Sequence, residues 1–333
     1  MSTLSPDPGV IVGAYASSPT TKAWDPRLEQ AYLDHLTAVP GVHGLEIPWI
    51  TSLHAHDQHW YANHLPSEWT VTITHIGGTM HRLAENPRYG LASDDQEGRA
   101  RAVADVAAIR EDVARLNDAH GRQVVTGIEV HSAPATPAAA SSATALAESL
   151  REIAQWEWYS ADLLVEHCDE HGPGRPVDTR PVAKGFLSLD AELQAIADAG
   201  TGAGVVVNWG RSAIELGDPD RVAEHVRMAR AAGVLRGIVF SGAADTATEY
   251  GPAWADAHLP FAPGAEAGTG AEGSLLTDAR VVETLAEAGP SVWSGVKIAC
   301  RPLDVPVERR VAQIRDGVER VLAARTRTDL LTQ

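Results

Sequence analysis

Short runs of apolar residues that stop abruptly at polar side chains alternate along the chain with stretches in which apolar residues recur every three or four positions. The first kind reads as buried strands, the second as helices packed on them. Their alternation is the pattern of strand–helix units that build a parallel sheet. The strand runs are GVIVGAYASS, VHGLEIPW, TVTITHIGG, Gln123 to Val130, Leu163 to Glu166, GVVVNW, LRGIVFSG and WSGVKIA. Helices are predicted from about Pro26 to Val39, within LHAHDQHWYANHLPSEW, and between Gly90 and Gly121, where Val103, Val106, Ile109, Val113 and Leu116 share a face. Ser93 with Gln96 predicts a capping box at the start of that longest helix. Further helices are expected in LAESLREIAQW, at Leu189 to Ala199, from Asp218-Pro219 onward, at Leu276 to Ala288 and at Pro306 to Ala324.

Eight strand candidates, each followed by a helix-containing connection, predict a closed (β/α)8 barrel. It is expected as a single domain over residues 1–333, with long loops at about 168–187 and 243–275. An open doubly wound sheet would bury the same strands. Two features argue against it: no glycine-rich phosphate loop follows the first strand, and reactive residues end nearly every strand instead of gathering at one switch point.

The 333 residues are 44% apolar, enough for a large core, and carry a formal net charge of −17. Positive charge is scattered, so nucleic acid and anionic membranes are excluded as expected partners. No apolar stretch reaches the roughly 18 residues that a membrane helix needs. Cys168 and Cys300 form neither a metal-type pair nor a disulfide framework, and a reducing, cytoplasmic location is expected.

A barrel would bring Tyr15, Glu46, His75, Glu129, His131, Glu166, His167, Asn208, Ser241 and Lys297 to one mouth. Glu129 and Glu166 end apolar runs, where an unemployed carboxylate is costly to bury. Their functional readings are metal ligand or proton-transfer group, and the competing reading is an ion pair that holds the barrel together. Lys297, set among apolar residues, points inward to stabilise an enolate, donate a proton or form a Schiff base; its rival reading is an internal ion pair with Glu46 or Glu129. Alternation puts Glu129 and His131 on one side of their strand, whereas the neighbours Glu166 and His167 cannot both face inward unless the strand has turned. His167 is grouped with Glu129, Glu166 and Lys297 as catalytic. Glu46, Trp49, His75, His131, Asn208, Trp209, Arg211, Trp254 and His258 are candidates for binding substrate. Nine Trp in the chain, with Trp49, Trp60, Trp209 and Trp254 near strand ends, suggest a carbohydrate-sized cleft.

With Glu129 on the fourth strand and Glu166 on the fifth, the chain resembles the xylose-isomerase-like barrel superfamily, which includes sugar isomerases, sugar and inosose epimerases or dehydratases, and a zinc-dependent endonuclease. VGAYASSP, GLEIPW, EVHSAP, VEHCD, KGFLSL, NWGRSAIE, FSGA and DAHLPF resemble, more closely, a bacterial family of proteins with a domain of unknown function. The wider resemblance implies a divalent ion (Mn, Mg, Zn or Co) held by acids and a His from four strand ends, two of the acids also exchanging substrate protons. Glu129 matches the acid of strand four and Glu166 that of strand five. The pattern then departs, with Asn208, Ser241 and Lys297 on the last three strands. Either His131, His167 or His258 completes an altered metal site, with Glu129, Glu166 and His258 as its ligands, or Lys297 supplies the positive charge.

The function expected is a sugar or sugar-phosphate isomerase or epimerase that works by carboxylate-mediated proton transfer, with a metal ion or Lys297 stabilising the enediolate. The alternatives are a glycoside hydrolase or lyase using the same acids, told apart by the separation of the two carboxyl groups, and a non-catalytic carbohydrate-binding barrel. The partner in each case is a small carbohydrate or sugar phosphate, and assembly into a homo-oligomer is open.

Overall fold

Eight parallel strands pair in chain order and close on themselves. They are β1 (Val10–Val12), β2 (Val42–Pro48), β3 (Thr70–Thr74), β4 (Val125–Val130), β5 (Asp162–His167), β6 (Gly204–Asn208), β7 (Leu235–Phe240) and β8 (Trp293–Val296). Val12 lies opposite Val296, which completes the ring and leaves the sheet without an open edge. This computed structural model describes residues 9–21, 23–136, 138–170, 184–265 and 268–331. The middle of the predicted loop at about 168–187, residues 171–183, lies outside the described residues.

Outside the ring lie α1 (Pro26–Thr37), α2 (Gln58–His64), α3 (Ile76–Glu85), α4 (Gln96–His120), α5 (Ala143–Ile153), α6 (Leu189–Ala199), α7 (Trp209–Leu216), α8 (Val222–Ala231), α9 (Asp278–Ala288) and α10 (Val307–Leu331). Side chains that close helix starts do much to set these bounds. Asp25 accepts from the N–H groups of Arg27 and Leu28, and Ser188 accepts from that of Ala191. No helix among the described residues is long and apolar enough to cross a membrane.

Three local expectations are corrected. Gly77 and Gly78, which close the strand run TVTITHIGG, lie in the first turn of α3. The residue capping α4 is Asp95, which accepts from Gly98 N–H, while Ser93 Oγ accepts from Asp95 N–H one step earlier. A whole helix, α7, follows β6 directly before the one expected at Asp218-Pro219, where Asp218 caps a short 3-10 turn that leads into α8.

Strand alternation sorts the barrel interior into an apolar floor and a polar mouth. Leu164, Val206, Val239 and Trp293 pack together as the floor. The indole of Trp293 fits because Gly237 stands beside it: a Cβ there would come within 2.2 Å of the ring. We therefore expect Gly237→Ala to lower stability by ~1–3 kcal/mol through overpacking, and Gly237→Ala combined with Trp293→Leu to recover most of the loss. Denaturant midpoints of the two variants provide the check, and equal losses in both would contradict this account of the floor.

Candidate functional site

One layer above the floor, Glu166 near the end of β5 is the focus of a fully buried set of polar groups. Its Oε1 lies 2.8 Å from Arg211 Nη1, 3.0 Å from Lys297 Nζ and 3.1 Å from Asn208 Nδ2. Its Oε2 lies 2.9 Å from His131 Nε2 and 3.4 Å from Thr74 Oγ1. Burial pushes this carboxyl up, but Arg211 and Lys297 outweigh it and hold the group well below the usual 4.5, so Glu166 is ionised.

Lys297, one residue beyond β8, donates from its backbone to Phe240 O and so continues the ladder. Its Nζ bridges Glu166 and Glu46, with the Glu46 Oε1 contact at 2.6 Å. Burial lowers its pKa, yet Glu166 and Glu46 raise it further, and the amine stays charged. Tyr15 donates to the same Glu46 oxygen at 3.0 Å. Gly13 leaves room for the lysine stem, since a Cβ there would lie 2.9 Å from Lys297 Cγ.

Asn208 ends β6 and needs both halves of its amide. Its Oδ1 accepts from Arg211 N–H and starts α7, while its Nδ2 donates to Glu166. Arg211 is thereby set in the first turn of α7 with its guanidinium between Glu166 and Asp256, the latter 3.2 Å from Nε. Asp256 also pairs with Lys184 and lies 3.1 Å from His258 Nδ1, which is 2.8 Å from Ser241 Oγ. The Lys184–Asp256 pair thus joins the segment after β5 to the long segment after β7. The latter is held down where Gly242 and Leu259 exchange backbone hydrogen bonds and His258 O accepts from Ala299 N–H.

Glu129 differs from every acid around it. Its side chain is wholly buried, and neither oxygen has a hydrogen-bond partner among the described residues. Burial, then the Glu166 and Glu46 carboxylates, hold it well above the usual 4.5. His131 and His75 are neutral: burial lowers them to about 4 and about 3, and each has one ring nitrogen without a partner.

Other candidates lie elsewhere. His167 faces outward between β5 and the helices, with Nδ1 2.7 Å from Glu192 of α6 and Nε2 2.9 Å from Glu215 of α7. Trp49 is buried edge-on to His75 and donates to Asp112 at 2.7 Å. Trp209 is fully buried at the start of α7, while Trp254 is half-buried with φ of 58°. Trp60 stacks on His64, away from the Glu166 cluster. Thr74 and Lys184 join the mouth without having been singled out in the sequence. Lys184 follows a Gly- and Pro-rich stretch that hides it, and Thr74 shares the inward side of its strand with Thr72, visible only by alternation.

Two groups are placed so that they can hold a divalent ion: Glu46, Glu129 and Glu166, and His167, Glu215 and His225, with the donor atoms of each group within 4.8 Å of one another. In the first group Glu129 has both oxygens free. Glu46 and Glu166 are already engaged by cations, and Lys297 Nζ occupies the position between them.

Residues 11–313 match the family described as "Domain of unknown function (DUF4862)". An uncharacterised protein of Salmonella typhimurium is 34% identical over 323 residues, covering 96% of this chain and 98% of its own length. Among solved structures, a xylose isomerase domain containing protein from Salmonella typhimurium superposes with a TM-score of 0.57 at 12% identity, covering 97% of this chain and 100% of that one. A D-tagatose 3-epimerase-like protein gives 0.56 at 12% identity, covering 96% and 98%. A xylose isomerase domain protein from Alicyclobacillus acidocaldarius gives 0.53 at 14% identity, covering 96% and 99%. The fold is that of the xylose-isomerase-like barrels.

Lys297→Met would leave Glu46 and Glu166 without the cation between them, and we expect it to cost ~3–5 kcal/mol of stability. Adding Glu46→Gln should restore part of that, as read from denaturant midpoints. Glu129 has the opposite sense. Because its folded pKa is raised, its contribution to stability is complete below about 4.5 and is lost as pH rises toward the folded value. In metal-free buffer, the stability of the wild type relative to Glu129→Gln should therefore fall above that pH by up to ~1.4 kcal/mol per pH unit. A pH-independent difference between the two proteins would contradict the upward shift of the unpartnered Glu129 carboxyl.

Proposed function

We propose that this chain, which belongs to the DUF4862 family and folds as a xylose-isomerase-like barrel, is an isomerase or epimerase of small carbohydrates or their phosphates, with Glu129 as the group that moves the proton. The observation that carries this reading is the state of Glu129. A dry carboxyl that makes no hydrogen bond does no structural work, and its raised pKa brings it toward the range where a general base or acid operates near neutrality.

The roles of the neighbours follow from their partners. Glu166 is ionised and saturated with donors, which makes it an anchor that fixes Lys297, Arg211, Asn208 and His131 in place. A sugar carbonyl oxygen placed at Lys297 Nζ meets a fixed positive charge. When the C–H bond beside that carbonyl breaks, the ionised form of Glu129 takes the proton and the electron pair moves to the carbonyl oxygen, giving an enediolate balanced by the ammonium. Return of the proton to the neighbouring carbon, with a proton passing from the hydroxyl oxygen to the enediolate oxygen, completes an isomerisation; delivery of a proton to the original carbon by a second donor on the opposite face completes an epimerisation. His131 and Asn208 offer polar atoms to the remaining hydroxyls. Were Lys297 displaced from between Glu46 and Glu166, those acids with Glu129 would hold a divalent ion, which would supply Lewis-acid charge in its place.

Glu129, Glu166 and Lys297 are buried, so substrate access requires movement of the surrounding chain. The hydrolytic alternative has less support. Glu129 and Glu166 bring oxygens within 4.8 Å of each other, which leaves no room for the water an inverting pair holds across roughly 6.5–9.5 Å. Glu166, tied down by cations, is also a poor nucleophile for a retaining pair.

The test is incubation in D2O with a panel of aldoses, ketoses and their phosphates, read by mass spectrometry and NMR. Turnover accompanied by deuterium at the reacting carbon is expected. Glu129→Gln should lower its rate by ~100-fold or more while the barrel stays folded. Interconversion of sugars without any exchange, or exchange unaffected by Glu129→Gln, would refute the assignment.

A further inference from the structure

A second buried polar cluster lies on the other side of β5, outside the barrel interior. Glu166 faces inward, so His167 points out toward α6, α7 and α8, and its side chain is wholly buried. Its Nε2 lies 2.9 Å from Glu215 Oε2 yet makes no hydrogen bond there. His225 of α8 brings Nε2 to 3.6 Å from the other oxygen of Glu215. Both imidazoles have their far nitrogens engaged: His167 Nδ1 is 2.7 Å from Glu192 Oε2, and His225 Nδ1 is 3.0 Å from Ser212 Oγ. Glu192 is itself held by Ser132 Oγ.

We propose that His167 Nε2, His225 Nε2 and a Glu215 carboxylate oxygen form a binding site for a zinc-class divalent cation, separate from the barrel mouth and oriented by Glu192 and Ser212. Two imidazoles and a carboxylate suit a borderline cation, with a fourth position for water. The outer partners match what metal-bound histidines require, a carboxylate or hydroxyl on the far nitrogen that fixes the tautomer and turns the bare nitrogen inward. Charge points the same way. Glu192 is buried and Glu215 half-buried, neither is paired with a described Lys or Arg, and together they hold the His167 imidazole between them up to about 10; a divalent ion takes the place of that proton and balances both carboxylates. Glu215 also accepts from Glu170 N–H at 2.8 Å. The ion therefore ties α7 and α8 to the exit of β5, one residue beyond Glu166.

The test uses the full chain carrying Glu129→Gln, which silences the mouth, stripped with a chelator and titrated with Co2+ and then Zn2+. We expect one equivalent of Co2+ to give the visible d–d bands of a low-coordinate nitrogen-and-oxygen site, Zn2+ to displace it, and Zn2+ to raise the melting temperature. His225→Gln and Glu215→Gln should abolish the bands, and Ser212→Ala should weaken binding by ~10–100-fold. A titration of the parent protein with no stoichiometric binding overturns the proposal, as does undiminished binding by a folded His225→Gln. In either case His167 is an imidazolium clamped between two carboxylates. Loss of Co2+ binding would leave proton exchange at Glu129 unjudged, so this test and the one for sugar turnover fail independently.

Discussion

The carboxylate of Glu166 cannot reach water, and the arrangement of the barrel mouth follows from that constraint. An ion in a dry interior is tolerated only when donors surround it. Here four strands and a helix supply them: Thr74 from β3, His131 just beyond β4, Asn208 from β6, Lys297 just beyond β8 and Arg211 from α7. Each donor comes from a different element, so the ion pairs that neutralise Glu166 also fix the relative positions of those elements. What could have been dead weight in the core becomes the reference point for the groups around it, while Glu129 makes no hydrogen bond to this network among the described residues.

Lys297 gives the mouth its own character. The resemblance to the wider superfamily implies an acid on strand eight, and this chain carries an amine there instead. Placed between Glu46 and Glu166, the amine neutralises the carboxylates that an ion would otherwise need to hold together. A positive charge fixed by the chain is always present and needs no loading.

Much of this was legible in the sequence, because apolar runs that end in Glu129, Glu166 or Lys297 carry the signature of buried strands with working ends. The (β/α)8 ring followed from counting them. Less legible were features in which one residue serves two ends at once. Asn208 reads as the last residue of a strand, yet its side chain also starts α7, so the eight-residue helix was hidden inside what looked like a loop. Gly77 and Gly78 read as the tail of a strand run, whereas tertiary packing draws them into α3. The adjacency of Glu166 and His167 showed that the pair could not both face inward, but the partners of His167, Glu192, Glu215 and His225, are brought to it only by folding. His225 left one trace, a polar residue on the apolar face formed by Val222, Val226 and Ala229.

Because neighbouring residues of β5 face opposite ways, residues 166 and 167 act as a seesaw between two compartments of the protein that share no side chain. One peptide unit separates the histidine of the outer layer from the anchor of the inner one, so a substitution in α7 or α8 that displaces His167 lies one residue from Glu166. Adjacency of that kind makes the helical shell on this side a means of tuning the interior without entering it.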